Sequence, residues 1–268
     1  MEKISDNDIY LKRMRRTFAD KMWFMSLMPD GVESVVDFGC ADNSFLKEFD
    51  RMYPGYNCVG IDNNPEFLDM ASNSGYKVCN SLDAVLKEGV DPAKSVLVMN
   101  SVLHEICSYD DPEKFWKDVG KMGFRYVALR DMYAKGCGCF TSRTEIELRT
   151  ACLENNGNLN LYRKYCDYCG IWGKIDNGYD AVHFLLKYLY DENWERELRE
   201  NYLSYSYRDL HWITRRNGYD AEFEQFYALP YLRGRWTEDF CGDRRNGLYS
   251  FINQVTTHFK MFLTKKEI

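Results

Sequence analysis

Two short stretches carry the most legible chemistry of this chain: Val35-Val36-Asp37-Phe38-Gly39-Cys40-Ala41-Asp42-Asn43 and, further on, Val59-Gly60-Ile61-Asp62-Asn63-Asn64-Pro65. In each, an apolar run ends in an acid, and in the first a glycine turn follows. A chain that turns sharply against a ligand needs small residues and tolerance of left-handed dihedrals. Gly39 and Ala41 supply the smallness, and asparagine at 43 is the residue type that, after glycine, best tolerates the left-handed region. Such a turn brings backbone N–H groups toward a ligand. Asp37 can accept hydrogen bonds from a cationic amino group, and Asp62 can accept two from the neighbouring hydroxyls of a ribose. The two stretches predict a βαβ unit presenting a nucleoside-bearing cofactor, with Asn63 beside Asp62 in the same site.

Charge narrows the ligand. A dinucleotide site uses Gly-x-Gly-x-x-Gly with no acid ahead of the first glycine, because the pyrophosphate lies there. Here Asp37 stands in that place and the later glycines are missing. A carboxylate in that position repels a pyrophosphate and suits an ammonium, which points to an amino-acid nucleoside.

Other residues carry weaker signals. His104, in Asn100-Ser101-Val102-Leu103-His104-Glu105-Ile106, is a candidate general base with a side chain suited to proton transfer near neutral pH, or a packed residue beneath the cofactor. Arg130-Asp131 offers either a substrate-facing group or a buried ion pair, and His183 reads as a packed core histidine. Cys137-Gly138-Cys139 and Cys166-Asp167-Tyr168-Cys169 have the spacing of a four-thiolate zinc site. With six other cysteines in the chain, chance clustering accounts for them as well, and no metal is expected. Tyr227, Arg233, Arg235, Trp236, Arg244, Arg245 and Tyr249 combine stacking faces with positive charge, a mix able to hold RNA bases or a nucleotide. Glu238, Asp239 and Asp243 interrupt them, which equally describes a solvated loop laced with ion pairs.

The elements that must position these residues alternate along the chain. Ile9 to Met28 places Leu11, Met14, Phe18, Met22 and Met25 at helical spacing, a lead-in helix. Strands are expected over Glu33–Phe38, Tyr56–Ile61, Tyr76–Cys79, Ser95–Met99 and Phe124–Leu129. Helices are expected over Ser44–Met52, from Asn64-Pro65, near Ser81–Glu88, and from Asp110-Asp111-Pro112-Glu113, where a cap, a proline and acids meet the positive end of the helix dipole. After Asp131 the β character stops. Ser142-Arg143-Thr144-Glu145 reads as a capping box, and helices follow near Glu145–Glu154, Asp180–Tyr190 and Trp194–Tyr202. Strands return at Ala221–Tyr227 and Thr256–Leu263, joined by a loop without a crossover helix and therefore antiparallel. The expected fold is α/β: a doubly wound, mostly parallel seven-stranded sheet with an antiparallel last strand, and ligands at the carboxyl ends of its strands. The chain is expected to form a single domain over 1–268, carrying at 132–205 a helical insertion after strand five that serves as a lid or substrate wall, its tyrosines and tryptophans lining an apolar pocket.

The segment Asp37 to Asn43, Gly60-Ile61-Asp62, the fourth strand ending Met99-Asn100-Ser101, and Leu210-His211-Trp212-Ile213-Thr214-Arg215-Arg216-Asn217-Gly218-Tyr219 leading into a closing pair of strands resemble the class I S-adenosylmethionine-dependent methyltransferases. The resemblance covers about 32–131 and resumes at 207–265. It departs from the family pattern where Ala41 and Asn43 replace glycines. It implies S-adenosylmethionine as cofactor, with the turn at Asp37, Gly39, Ala41 and Asn43 against the methionine part and Asp62 on the ribose. Asn80, Ser81 and Leu82 would flank the adenine, with Asp83 an alternative, and Asn100 and Ser101 would line the methyl-transfer site. His104 and Asp131 are the candidate catalytic residues. The implied activity is methyl transfer to O or N of a small molecule or an RNA or nucleotide acceptor. Val102-Leu103 follow Asn100-Ser101 where an amino-methyltransferase has Pro-Pro-Tyr/Phe, which disfavours DNA base methylation. The alternative is a non-methylating S-adenosylmethionine-binding sensor or partner subunit that uses the aromatic insertion as an interaction surface.

Composition sets the outer limits. The 268 residues are 45% hydrophobic and 16% aromatic, enough for a full core. A net charge of -6 argues against a general nucleic-acid coat protein. The polar N-terminus and the lack of a long apolar run predict no membrane span, and scattered cysteines in apolar contexts predict reduced thiols in a cytoplasmic protein.

Overall fold

Short β-branched runs become buried strands because a parallel sheet is covered on both faces. Seven strands form among the described residues: β1 (Ser34–Phe38), β2 (Asn57–Ile61), β3 (Lys77–Cys79), β4 (Ser95–Asn100), β5 (Tyr126–Met132), β6 (Tyr219–Tyr227) and β7 (His258–Lys265). In the computed structural model, which describes residues 17–155, 157, 160–191, 193–242 and 246–267, they lie in the order β3-β2-β1-β4-β5-β7-β6. The pairs β1–β2, β1–β4, β2–β3 and β4–β5 are parallel. Lys265 N donates to Arg125 O just ahead of β5, and Lys266 N donates to Gly218 O just ahead of β6. The end of β7 thus meets the beginnings of both neighbours, so β7 runs antiparallel, as expected.

The helices around β1 to β5 follow local signals. α1 (Phe18–Lys21) is a single turn that passes into a 3-10 turn at Trp23–Leu27. The long lead-in helix expected over Ile9–Met28 is replaced by these two turns in its described part, and Ile9 to Arg16 lie outside the described residues. α2 (Ser44–Met52) buries Phe45, Leu46 and Phe49 against Val35, Val96 and Val98. α3 (Pro65–Ser72) begins with Asn64 accepting from Glu66 N and a proline in the first turn. The helix expected near Ser81–Glu88 is a 3-10 segment over Asp83–Glu88. α4 (Leu103–Tyr109) follows β4 directly. α5 (Pro112–Met122) starts where the Asp-Pro signal places it: Asp111 accepts from the N–H groups of Glu113 and Lys114, and Gly123 in the left-handed region closes the helix.

Between Ser142 and β6 the regular elements among the described residues are all helices: α6 (Ser142–Glu154), α7 (Leu161–Trp172), α8 (Gly178–Lys187), α9 (Trp194–Arg199) and α10 (Tyr207–Arg216). The capping box of α6 sits one residue earlier than the sequence suggested. Thr141 accepts from Thr144 N, and Thr144 Oγ1 returns the contact to Thr141 N, so a threonine does the work assigned to Glu145. The loop expected between the last two strands is helical instead. It holds α11 (Pro230–Trp236), a π-helical turn at Thr237–Cys241 and α12 (Asn246–Gln254). Pro230, read as a loop residue, is in the first turn of α11, where its missing N–H costs no hydrogen bond.

The chain resolves into two compact units. The first takes the described residues within Met1–Asp131, Ser206–Gln225 and Lys260–Ile268; the second takes Met132–Tyr205 and Phe226–Phe259. Residues 132–205 therefore share their unit with 226–259, which the sequence reading had kept apart. The second unit has its own apolar core, built from Tyr165, Tyr168, Phe184, Tyr188, Trp194, Tyr202 and Trp236 among others. These aromatic side chains, expected to line a pocket, pack on one another. All ten cysteines are free thiols. No helix among the described residues is long and apolar enough to cross a membrane.

Candidate functional site

The parallel register delivers the candidate residues to one edge. Phe38 pairs with Ile61 and Met99, Ile61 with Cys79, and Asn100 with Arg130. Gly39, Asp62, Asn80, Ser101 and Asp131 consequently stand at or just beyond the carboxyl ends of neighbouring strands, the position where open α/β sheets bind ligands.

The turn after β1 takes three alternate residues through the left-handed region: Gly39 at φ +78°, Ala41 at +47° and Asn43 at +60°. Five of its backbone N–H groups, those of Gly39, Cys40, Ala41, Asn43 and Ser44, donate within the protein. Gly39 N and Cys40 N both donate to Ile61 O, at 2.8 and 2.9 Å, Asn43 N donates to Cys40 O, and Ser44 N donates to Asp42 Oδ1. Ala41 N donates to Asp62 Oδ2 at 2.9 Å, and Asn64 N donates to Asp62 Oδ1 at 2.9 Å. Asp62 thereby ties the β1 turn to the β2 turn. A carboxylate offers about four lone-pair sites, so each oxygen retains capacity toward a ligand. Two glycines are fixed by space. A Cβ on Gly39 would lie 2.8 Å from Val102 Cγ2, and one on Gly60 would lie 2.6 Å from Cys40 Sγ and collide with Asn43 Oδ1.

Two cavities open here. A cleft of about 840 Å³ is lined by Gly39, Asp62, Asn63, Asn80, Ser81 and Leu82, all named from sequence, and by Asp83. Its remaining wall comes from α4 and α5 and includes Val102, Glu105, Ile106, Lys114, Phe115, Asp118 and Lys121. Sequence reasoning placed α5 without assigning it a face, and it placed no helix at α4. The signal lay in Lys114, Asp118 and Lys121, spaced three or four apart on one side of α5. Six carboxylates and two lysines line the cleft, a balance that favours a cationic ligand over a polyanionic one.

A second, small recess of about 20 Å³ is lined by Asp37, Gly39, Ala41 and Asn100 together with Phe18, Lys21, Cys40 and Asp42. Gly39 borders both spaces. Burial pushes Asp37 up to about 7, with Asp62 adding to the rise and the Lys21 ammonium opposing it. Burial, helped by the Arg130 cation, lowers Lys21 to about 7 against the pull of Asp37, Asp20 and Asp42. Asn100 is 6% exposed, and among the described residues neither its amide nitrogen nor its amide oxygen has a partner. Burial drives the Cys40 thiol far above its ordinary range, so it is inert.

Asn43, Ser101, His104 and Asp131 line neither space. Asn43 is fully buried and donates to Ser74 Oγ. Ser101 Oγ accepts from Arg130 Nη1 at 2.8 Å, while Arg130 Nε donates to Asp20 Oδ2 at 2.6 Å. Arg130 is thus the buried ion pair of the two readings. His104 Nδ1 lies 2.9 Å from Asp131 Oδ1, and Asp131 Oδ2 accepts from Leu103 N and His104 N. A carboxylate already accepting two N–H groups calls for Nδ1 to carry its hydrogen. The pair pins the start of α4 to the end of β5.

The other sequence candidates fall in the second unit. His183 is buried, with Nδ1 3.0 Å from the Tyr168 hydroxyl and Nε2 accepting from Tyr202 N. Cys137 and Cys139 sit on a 3-10 turn, and Cys166 and Cys169 on α7. Among the described residues no cluster of metal-ligating atoms includes these four cysteines. Arg235 pairs with Asp239 and Glu238, and Arg233 donates to Val255 O, which is the ion-paired reading of that region. Asp243, Arg244 and Arg245 lie outside the described residues.

A seven-stranded sheet in the order 3-2-1-4-5-7-6 with β7 antiparallel, a glycine turn after β1 and an acid after β2 define the fold of the class I S-adenosylmethionine-dependent methyltransferases. The plantazolicin methyltransferase BamL, solved in complex with a triazolic desmethylPZN analog and SAH, superposes with a TM-score of 0.53 at 11% identity, over 97% of this chain and 88% of that one. A SAM-dependent methyltransferase from Archaeoglobus fulgidus gives a TM-score of 0.50 at 12% identity, over 97% of this chain and 100% of its own. No protein-family model matches the sequence, and no curated protein does.

Proposed function

We propose that this chain is an S-adenosylmethionine-dependent methyltransferase acting on O or N of a small neutral or cationic molecule. The observation that carries the reading is the acid-lined cleft at the carboxyl edge, with Asp62 in its lining. BamL and the Archaeoglobus fulgidus protein, which share the fold, are methyltransferases, and BamL was solved with SAH.

The residues present fit that cofactor. The cleft volume falls within the range of about 300–1,000 Å³ usual for small-molecule sites. Asp62 borders the cleft and would accept from ribose hydroxyls, Asn63 stands beside it, and Asn80, Ser81 and Leu82, in the same lining, would flank an adenine. Asp37, Ala41 and Asn100 line the recess next to Gly39, which suits a polar end group. When bound, S-adenosylmethionine supplies an electrophilic methyl group on a sulfonium. The surrounding carboxylates stabilise positive charge and would repel the backbone of a polyanionic acceptor, which places a small molecule ahead of RNA. Methyl transfer of this kind needs alignment and exclusion of water more than a base. His104 and Asp131 enter as positioning residues that hold Val102, Glu105 and Ile106 against the cleft, with Asn43 and Ser101 shaping the two turns from behind.

Incubation of the protein with methyl-labelled S-adenosylmethionine and fractionated metabolite and RNA pools tests the proposal. Label in a small-molecule fraction is the expected result. Label in RNA alone would overturn the acceptor class, and tight binding without transfer to any fraction would favour a non-methylating sensor.

A further inference from the structure

Four non-glycine residues among those described have a positive φ, and three of them, Ala41, Asn43 and Ser101, stand at the carboxyl edge of the sheet. Backbone held in that region marks a place where the surrounding structure over-determines the chain. Ala41 and Asn43 belong to the turn after β1, whereas Ser101, at φ +60°, follows β4. Its neighbours go separate ways: Asn100 borders the small recess, Val102 borders the cleft, and Ser101 itself borders neither. Val102 also packs on the glycine turn, where its Cγ2 would lie 2.8 Å from a Cβ on Gly39. The conformation of residue 101 therefore sets what each space is lined with.

Arg130 holds Ser101 through both main chain and side chain. Its carbonyl oxygen accepts from Ser101 N at 2.7 Å, and its Nη1 donates to Ser101 Oγ at 2.8 Å. Arg130 is 2% exposed, and a guanidinium so deep needs a counter-charge. Asp20 of α1 supplies it: Oδ2 accepts from Arg130 Nε at 2.6 Å, while Oδ1 pairs with Lys260 Nζ at 2.6 Å. The network thus reaches from α1 and β7 through Arg130 to one strained serine. We propose that Arg130 is a positioning residue for the bound cofactor, fixing the left-handed turn at Ser101 and through it the place of Val102 in the cleft wall. This role rests on the methyltransferase reading and gives the buried ion pair a task at the site.

Titration calorimetry with S-adenosylhomocysteine on the full chain tests it through substitutions at two positions. Ser101→Ala loses the Arg130 Nη1 contact and keeps the backbone cost, whereas Ser101→Gly loses the same contact and enters the left-handed region freely. The expected order of affinity is wild type, then Ser101→Gly, then Ser101→Ala, with at least about threefold between the last two. Arg130→Met leaves Asp20 paired with Lys260 and should bind at least about tenfold more weakly than the wild type. In a Ser101→Gly background the same substitution should cost about threefold or less, because a glycine turn needs no holder. A general loss of packing would not be recovered by a glycine. Alanine binding as well as glycine at 101 would overturn the role of Arg130 and leave the cofactor assignment intact, and this pair decides even if Arg130→Met does not fold. An undiminished Arg130→Met loss in the glycine background would also overturn it. Failure of the wild type to bind would remove the cofactor reading and this role with it.

Discussion

Asp62 serves two structural contacts and one proposed ligand contact. Its oxygens accept from Ala41 N and Asn64 N, and the same carboxylate borders the cleft. Asp62→Ala should weaken S-adenosylhomocysteine binding by about 1–3 kcal/mol through loss of charge-assisted hydrogen bonds; an unchanged dissociation constant would mean that the ribose lies elsewhere. His104 is a different case. It supplies the donor at Asp131 Oδ1 in a buried pair that fixes the start of α4. His104→Ala should lower unfolding stability by about 1–3 kcal/mol, measured in urea, because it removes a buried carboxylate's partner. Most of the cleft-lining residues named from sequence were legible because they follow strands in a parallel sheet. The pairing of His104 with Asp131 was not, since the partners are 27 residues apart and only the β4–β5 register joins them. Lys21 was missed because the segment carrying it was read for its apolar stripe alone.

At the scale of elements, the turn after β1 works because two strands leave room for it. Gly60, inside β2, stands where any Cβ would meet Cys40 Sγ and Asn43 Oδ1. Gly60→Ala should therefore destabilise the fold by about 1–3 kcal/mol and weaken ligand binding together, read as a fall in melting temperature and a rise in Kd. The helices announced by aspartate and proline, such as α5, were readable because capping is local chemistry. α7 was not. Its buried Leu161, Lys164, Tyr165 and Tyr168 have helical spacing, but a cationic member and two tyrosines disguise the apolar stripe, and Cys166 and Cys169 suggested chelation instead. α8 ends at Lys187, whose buried ammonium donates to the carbonyl oxygens of Glu197 and Glu200 beside the Tyr202 ring. Burial lowers Lys187 from its ordinary 10.5 to about 7, with the Glu197 and Glu200 carboxylates opposing. Between those values the unfolded chain binds the proton and the folded chain does not, so stability rises with pH across that window. Chemical denaturation at pH 7 and pH 10 should show this rise in the wild type and a smaller one in Lys187→Met; equal slopes would place the lysine in a solvated setting.

For the whole molecule, the fold class was legible and the division of the chain was not. Alternation of strands and helices up to Asp131 dictates a parallel sheet, and the closing antiparallel strand follows from the chain order that the sequence displays. The reading reached that strand for an incomplete reason, since helices α11 and α12 do join β6 to β7. The chain passes between its two units within β5, β6 and β7, so the second unit is assembled from two excursions, 132–205 and 226–259. Only the first resembles an insertion in sequence. The second hides its helices behind Pro230, Gly234 and a run of arginines, residues that read locally as loop and are overruled by the burial of Leu232, Trp236, Leu248, Phe251 and Ile252. The charge of the molecule, -6, is echoed in the acid-rich lining of its cleft. That lining is the common ground of the cofactor assignment and of the preference for an uncharged or cationic acceptor. Titration calorimetry of the purified wild-type chain with S-adenosylhomocysteine tests it most directly. The account predicts one site per chain with a dissociation constant on the order of micromolar, about 8 kcal/mol of binding free energy; no binding heat and no rise in melting temperature at millimolar ligand would contradict it.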